Sequence, residues 1–383
     1  MRIPAQSIGV IGGGQLARML HAASIGLGLR FKLLAEGPAV SAAQVVHEVT
    51  VGEYTDPATV AAFAGDCEVI TFDHEHVPTQ ILHDLETAGV AVRPGPAALV
   101  HAQDKAVMRA RLAGLGVPCP VNAVVADPSA LIAFAERHGW PVIAKTSRGG
   151  YDGKGVWKVS GPEDAATPFE RLRSDAVVIA EEFIDFAREL SALVVRRPGG
   201  QAVAYAVSES VQTDGICTAT ITPAPGLRPD QVRDCQAMAL RIAEELDVVG
   251  VLAVELMQAR DGSVVVNELA MRPHNTGHWS IDGALTSQFE NHLRAVADLP
   301  LGSTALVAPV AVMVNVLGGS RSDLLGGLSR VMAADPGIKV QLYGKDVVPG
   351  RKVGHVTAVG DDVDQTTARA WRAARILMGE DDE

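Results

Sequence analysis

The chain has 383 residues, 48% of them hydrophobic and 20% charged, which supplies apolar side chain for two or three domain cores and excludes general disorder. Aromatics are limited to 8 Phe, 4 Tyr and 4 Trp, so the cores are built from Ala, Val, Leu and Ile, a composition suited to parallel α/β architecture. Lys and Arg total 33 against 45 Asp and Glu, a net charge of −12; bulk charge opposes nucleic acid and anionic membrane as partners, and an anionic ligand must be met by locally placed cations.

Lysines stand only at 32, 105, 145, 154, 158, 339, 345 and 352, so their positions are informative. Cys67, Cys119, Cys217 and Cys235 show neither C-x-x-C nor zinc-finger spacing, which points to free thiols in a reducing cytoplasm. The apolar run Ile8 to Ile11 is too short for a signal segment, and the stretch from Ala305 to Leu317 is broken by Pro309 and Asn315; a soluble, unexported protein is expected.

The first hundred residues alternate strands (8–11, 32–35, 45–51, 69–72) with helices beginning at Gln15, Asp56 and Thr79, a βαβ pattern that predicts a parallel sheet. Asp56-Pro57 and Asp127-Pro128 each place a capping carboxylate before a proline suited to a first helical turn. Arg93-Pro94-Gly95-Pro96 marks a boundary. The expected division is 1–98 as a Rossmann-like domain, 99–300 as a central domain with a lid at about 120–187, and 301–383 as a small C-terminal domain. Within the centre, helical periodicity runs from Leu99 to Gly116, an antiparallel sheet is expected from Gly155 to Ser208, and a helix carries Val232 to Leu246.

Five constellations carry chemistry. Gly12-Gly13-Gly14-Gln15-Leu16-Ala17, between a strand and a helix and followed by Glu36, satisfies the dinucleotide fingerprint, although a tight turn or another phosphate-bearing ligand fits equally. Lys145 at a strand end precedes Gly149-Gly150-Tyr151-Asp152-Gly153-Lys154-Gly155, a glycine loop with an ammonium suited to covering phosphates but lacking the Walker A pattern. Asp261-Gly262 reads as a two-residue hairpin turn that sets Glu255 opposite Glu268, with Cβ atoms about 5 Å apart. Bare carboxylates so placed repel by roughly 3 kcal/mol at an effective dielectric of about 20. Oxygen ligands in that number suit Mg²⁺ shared with substrate phosphates. Glu181-Glu182-Phe183-Ile184 and Glu189 form a crossover able to meet an adenine edge and ribose hydroxyls. Finally, Arg272-Pro273-His274-Asn275-Thr276-Gly277-His278 and Pro349-Gly350-Arg351-Lys352 are polar loops able to reach an anionic substrate. Asp73-His74-Glu75-His76 has no placeable third metal ligand and reads as a strand-end loop in which Glu75 contacts substrate.

Together these features resemble the ATP-grasp superfamily, and within it the N5-carboxyaminoimidazole ribonucleotide synthetases. GVIGGGQLARML (9–20), GGYDGKG (149–155), EEFIDFAREL (181–190), NELAMRPHNTGHWSIDGALTSQFENHLRA (267–295) and PGRKVGHV (349–356) carry the resemblance. It implies an ATP-grasp fold behind a Rossmann-like domain. It also implies ATP- and bicarbonate-dependent carboxylation of aminoimidazole ribonucleotide through carboxyphosphate, in a cytoplasmic homodimer using Mg²⁺ or Mn²⁺. The matching ATP positions are Lys105, Lys145, Gly150, Tyr151, Asp152, Gly153, Lys154, Gly155, Val156, Glu181, Glu182, Phe183, Ile184, Glu189, Gln212, Asn267 and Glu268. Glu255 and Glu268 match the metal acids; Gln15, Leu16, Glu75, Arg272, His274, Asn275, Arg351 and Lys352 match the substrate wall; Asp152, Lys154, His274 and Lys352 match the reacting centre, with Asp152 or His274 as proton acceptor. Lys154 stands where Arg is common, Gln212 where His is common, Asp73-His74 where Glu-Phe is usual, and Ala270 leaves no E-x-N asparagine. An ATP-grasp ligase with another acceptor, a nucleotide-sensing protein and a nicotinamide-dependent dehydrogenase are the alternatives; NAD(P)H binding without ATPase activity distinguishes the last.

Overall fold

A computed structural model describes residues 6–149, 155–172 and 176–380. The N-terminal layer is a parallel sheet ordered Glu48–Val51, Arg30–Ala35, Ser7–Ile11, Val69–Phe72, Ala91–Val92. The central strand is buried at every position, as expected of a parallel strand covered on both faces. Val60, Phe63, Ile81 and Leu85 cover one face; Leu16, Met19 and Leu20 cover the other, together with Phe289, Leu293 and Val296 from far along the chain. Asp56 caps its helix through the Ala58 and Thr59 amides, and Asp127 through Ala130.

The helical pattern from Leu99 to Gly116 proves to be two helices, Pro96–Gln103 and Lys105–Gly114. Asp104 breaks it by taking an extended backbone and capping the second helix through the Ala106 and Val107 amides, a competition in which a short carboxylate prevails over helix continuation. The stretch expected as one antiparallel sheet divides between two. Val156–Val159 and Val178–Glu182 join Asn122–Val125 and Val142–Thr146 in a four-stranded sheet around Leu131 and Phe134. Phe186–Arg196, Ala202–Ala204 and Ser208–Thr213 belong instead to a nine-stranded sheet. The strands after Leu301, Val310–Leu317, Lys339–Leu342 and Lys352–Gly360, extend that same sheet through pairing with Ile216–Thr222. Thus the cationic loop before Lys352 is carried on a strand rigidly continuous with the central sheet.

The helix Gln288–Val296 is wedged between the two large sheets. His292 ties it to both: its Nδ1 accepts the Val251 amide at 3.1 Å and its Nε2 lies 2.8 Å from Thr71 Oγ1. A Cβ on Gly250 would come within 2.8 Å of the His292 ring, and Gly250 has φ +109°, so glycine there serves both the close approach and the backbone. Among the described residues no helix is long and apolar enough to cross a membrane.

Candidate active site

Glu255, on Gly250–Ala259, does pair with Glu268, on Val264–Ala270. The route differs from the expected two-residue turn. The tip is Arg260-Asp261-Gly262, closed by the Ala259 amide on the Ser263 carbonyl and with Gly262 at φ +89°. It pairs Leu256 with Val266; a one-residue bulge at Asn267 then restores Glu255 opposite Glu268. Val266 and Leu269 both face the core while the two intervening residues do not, so the bulge turns Asn267 and Glu268 to the same side. This is how a bulge re-aims a side chain.

The cations meet these groups directly. Lys105 Nζ lies 3.1 Å from Glu268 Oε1; Lys145 Nζ lies 2.7 Å from Glu181 Oε2 and donates to Asn267 Oδ1 at 3.2 Å. Arg109, which motif reading missed, is buried beneath them: its Nε meets Glu181 Oε1 at 2.7 Å, and its remaining nitrogens donate to the Val266 and Asn267 carbonyls at 2.9 and 2.8 Å. Burial opposes ionisation of Glu181, but Lys145 and Arg109 outweigh it and hold its carboxyl below the usual range. The only trace of Arg109 in sequence is an arginine four residues after Lys105 on a helix, one turn along the same face. Glu182 accepts the Val121 amide at 2.8 Å; Phe183 and Val156 are partly open to solvent beside it. Burial and the charge of Glu255 push Glu189 up to about 7, against a hydrogen bond from Gln212.

Glu255 Oε1 accepts from His274 Nε2 at 3.1 Å, and His274 Nδ1 lies 2.8 Å from Thr276 Oγ1, itself 2.7 Å from Ser191 Oγ. Burial works against the Glu255 charge, yet His274, Arg272 and Lys105 lower its pKa overall. Arg272 Nε meets Glu75 Oε2 at 2.8 Å, and Glu75 is fixed by Gln103, which donates to its carbonyl at 2.9 Å. Two cavities share the wall formed by Glu75, His76, Arg272 and His274. One, about 310 Å³, holds Lys105, Arg148, Glu255 and Glu268; the other, about 690 Å³, holds Gln15, Leu16, Asn275, Arg351 and Lys352. Lys345, also missed, enters the second and donates to Gln15 Oε1; burial and the neighbouring Arg351 and Lys352 lower its pKa. Gly150, Tyr151, Asp152, Gly153 and Lys154 lie outside the described residues.

The glycine turn is occupied from within. Glu36 Oε2 accepts the Gly13 amide at 3.1 Å, and Asp73 accepts that of Gly14. Glu36 therefore does not stand free for a ribose, as the dinucleotide fingerprint requires. His74, 3.6 Å from Glu36, and the Gly13 amide hold that carboxyl down to about 2 against burial. Burial pushes Asp73 up to about 6. His74 and His76 follow the strand end as expected, stacking at 5.2 Å, and the described residues contain no group of three His, Cys, Asp or Glu able to hold a metal. A two-carboxylate pair facing a polar cavity fits a divalent ion whose other ligands are water and substrate phosphate.

Three family models tile the chain: a ribonucleotide synthetase preATP-grasp domain over 5–103, an ATP-grasp domain over 110–289 and a phosphoribosylaminoimidazole carboxylase C-terminal domain over 311–369. The N5-carboxyaminoimidazole ribonucleotide synthase of Mycobacterium tuberculosis is 50% identical over 377 residues, 97% of this chain and 88% of that protein. The chain belongs to the N5-carboxyaminoimidazole ribonucleotide synthase family. Solved structures in this family agree with the fold: the Thermus thermophilus synthetase matches with a TM-score of 0.87 at 39% identity, covering 96% of this chain and 98% of that one. The Aspergillus clavatus synthase, solved with ADP and 5-aminoimidazole ribonucleotide, matches with a TM-score of 0.88 at 28% identity, covering 97% of this chain and 98% of that one.

Proposed function

We propose that this chain uses ATP and bicarbonate to convert 5-aminoimidazole ribonucleotide to N5-carboxyaminoimidazole ribonucleotide, releasing ADP and phosphate. The observation that carries the reading is the wall shared by the two cavities: Arg272 and His274 stand between the acid pair and the cation cluster. A labile carboxyl donor made at the first thus has a short protected path to an amine held at the second. Glu255 and Glu268 would hold Mg²⁺, or Mn²⁺, together with the ATP phosphates, and that ion would supply charge neutralisation at the transferring phosphoryl group. Lys105 and Lys145 neutralise the phosphates alongside, while the exposed faces of Val156 and Phe183 suit the adenine and the Glu189 carboxylate its ribose.

A bicarbonate oxygen attacks the γ-phosphorus and ADP departs; the carboxyphosphate formed breaks to CO₂ and phosphate, and the substrate amine adds to CO₂ and loses a proton. The protein's part is positioning and exclusion of water. His274 has both ring nitrogens engaged, by Glu255 and Thr276, which favours Asp152 as the proton acceptor. Lys352, Arg351 and Lys345 grip the phosphate of the ribonucleotide, with Gln15, Leu16, Glu75 and Asn275 around it. The reading includes domains at 1–98, 99–300 and 301–383, a homodimer and a cytoplasmic setting, each supported by the family resemblance. The test is phosphate release from ATP with and without bicarbonate and the ribonucleotide: release requiring bicarbonate, with carboxylated product only when the ribonucleotide is present, is expected. Bicarbonate-independent turnover overturns the reading.

A further inference from the structure

His278 closes the loop that begins at Arg272 and is almost wholly buried, at 1% exposure. Its ring lies 5.0 Å from His355 and 5.5 Å from Phe289, and meets Tyr343 edge-on at 6.5 Å. It nevertheless lines the larger cavity, beside Arg272, Asn275 and Lys352. On its inner side, Nδ1 lies 3.1 Å from Gln288 Nε2.

The orientation of that Gln288 amide is fixed by two backbone groups of opposite polarity. Its Oε1 accepts the His274 N–H at 2.9 Å and its Nε2 donates to the His274 carbonyl at 2.7 Å; a flipped amide would set donor against donor and oxygen against oxygen. Gly277 admits this approach, since a Cβ there would come within 2.5 Å of Gln288 Oε1. Gln288 Nε2 is therefore a donor towards His278, and His278 Nδ1 is an acceptor. The ring's single proton sits on Nε2. Burial first, then the surrounding His355, His274, Lys352 and Arg272, hold His278 well below the usual histidine range, so the ring stays neutral. Among the described residues its Nε2 has no hydrogen-bond partner, yet unlike the Nε2 of His355 it is not among the sealed, unpartnered atoms. Of the two ring nitrogens, Nε2 is the one left for the cavity that the ring lines.

We propose that His278 donates its Nε2–H to an uncharged lone pair of the ribonucleotide, a ribose oxygen or ring nitrogen, and that Gln288 is the positioning residue that fixes the tautomer. The inference rests on the ribonucleotide reading of this cavity. A neutral donor suits the place: Lys345, Arg351 and Lys352 already supply cations, and a fourth would add to their mutual repulsion. The ring is held by packing on three aromatic neighbours, so the donor is presented without ordering cost when ligand binds.

The test begins with His278→Phe, which keeps a ring but removes the donor. KM for the ribonucleotide is expected to rise about tenfold, as for loss of one hydrogen bond, with KM for ATP unchanged; His278→Gln, whose amide nitrogen reaches a similar point, is expected to recover part of the loss. In parallel, long-range ¹⁵N–¹H correlation on the wild-type protein should show His278 protonated on Nε2 alone, with that nitrogen's shift moving when the ribonucleotide is added. In Gln288→Glu the ring proton is expected on Nδ1, with KM for the ribonucleotide raised as in His278→Phe. An unchanged KM in His278→Phe, a wild-type ring protonated on Nδ1, or an Nε2 signal indifferent to the ribonucleotide overturns the proposal, and the wild-type measurement decides even where a variant does not fold. Absence of any ribonucleotide binding to wild-type protein would instead overturn the functional reading beneath it.

Discussion

At the acid end of the cleft, Lys105 meets Glu268 at 3.1 Å, Lys145 meets Glu181 at 2.7 Å, and Arg109 meets the other oxygen of Glu181 at 2.7 Å. At the cation end, Lys345 donates to the neutral amide of Gln15 and is pressed by Arg351 and Lys352. The first end is built from mutually compensating charges, so its geometry is set before ligand arrives. The second brings Lys345, Arg351 and Lys352 close together, with the charge of Asp73 offsetting part of their effect on Lys345, and an incoming dianion adds to that compensation. Substitutions at the acid end should therefore strike chemistry or stability, whereas removing a cation at the other end should strike ligand affinity and spare the fold.

The largest effect should come from Glu268→Gln. The side chain keeps its shape and its bond to Lys105 is weakened rather than replaced by a clash, so thermal stability should change little while phosphate release falls roughly 1000-fold. Near-normal turnover would remove Glu268 from the metal pair. Arg109→Met should act differently at the same end. It strands the buried Glu181 with Lys145 alone and leaves the Val266 and Asn267 carbonyls without their donor, a loss of about 3–5 kcal/mol by analogy with other broken buried pairs. A thermal melt displaced by only a degree or two would mean that this network is not what holds the acid end in shape.

At both ends, what the sequence revealed depended on how local each signal was. Short runs of Val, Ile and Leu made the parallel sheet legible, and caps such as Asp56 and Asp127 were visible because a carboxylate before proline has one strong local meaning. Glu255 and Glu268 were matched correctly although the turn was misread, because a three-residue tip and a bulge at Asn267 offset one another in register. Neither irregularity has a local signature strong enough to announce it. Lysines at 105, 145 and 352 stood out in a lysine-poor chain, but Lys345 and Arg109 did not, since each acts through a partner 330 or 72 positions away; His278 lay within the polar loop from Arg272, but its tie to Gln288, at the start of the helix Gln288–Val296, had no local sign. Long-range pairing of that kind is a property of topology rather than of any window of sequence. The splitting of the expected 155–208 sheet is another such case: the first three strands form where the pattern put them, the last is broken into Ala202–Ala204 and Ser208–Thr213, and only tertiary packing assigns each strand to its sheet.

Asp73 tests whether the cation end really leaves charge uncompensated. Burial raises its pKa from 3.8 to about 6, so the native state favours the neutral acid. Below about pH 3.8 the group is neutral in both folded and unfolded chains and costs nothing; as pH rises to about 6 the native state loses stability, by about 3 kcal/mol in all. Asp73→Asn removes that titration and keeps an oxygen for the Gly14 amide. The variant's stability relative to wild type should therefore climb between about pH 4 and pH 6 and level off above. A difference that stays flat across that interval would show Asp73 to be compensated by its cationic neighbours, His74 and Arg272, and would make the two ends more alike than the geometry indicates.

Lys345→Met separates affinity from stability most sharply. Methionine keeps much of the lysine's apolar stem while removing an ammonium that burial and two cationic neighbours already disfavour. The melt should consequently stay where it is or rise slightly, even as KM for the ribonucleotide increases roughly 10- to 100-fold, the range for losing a charge-assisted hydrogen bond. KM for ATP should not move, because Lys345 lies outside the cavity that holds Lys105, Glu255 and Glu268. The ribonucleotide KM of the variant should also respond less to added salt than that of wild type, since one of the screened attractions is gone. A lower melting temperature with unchanged KM would place Lys345 among the structural cations, with Arg109, and the contrast between the two ends would then lie in Arg351 and Lys352 alone.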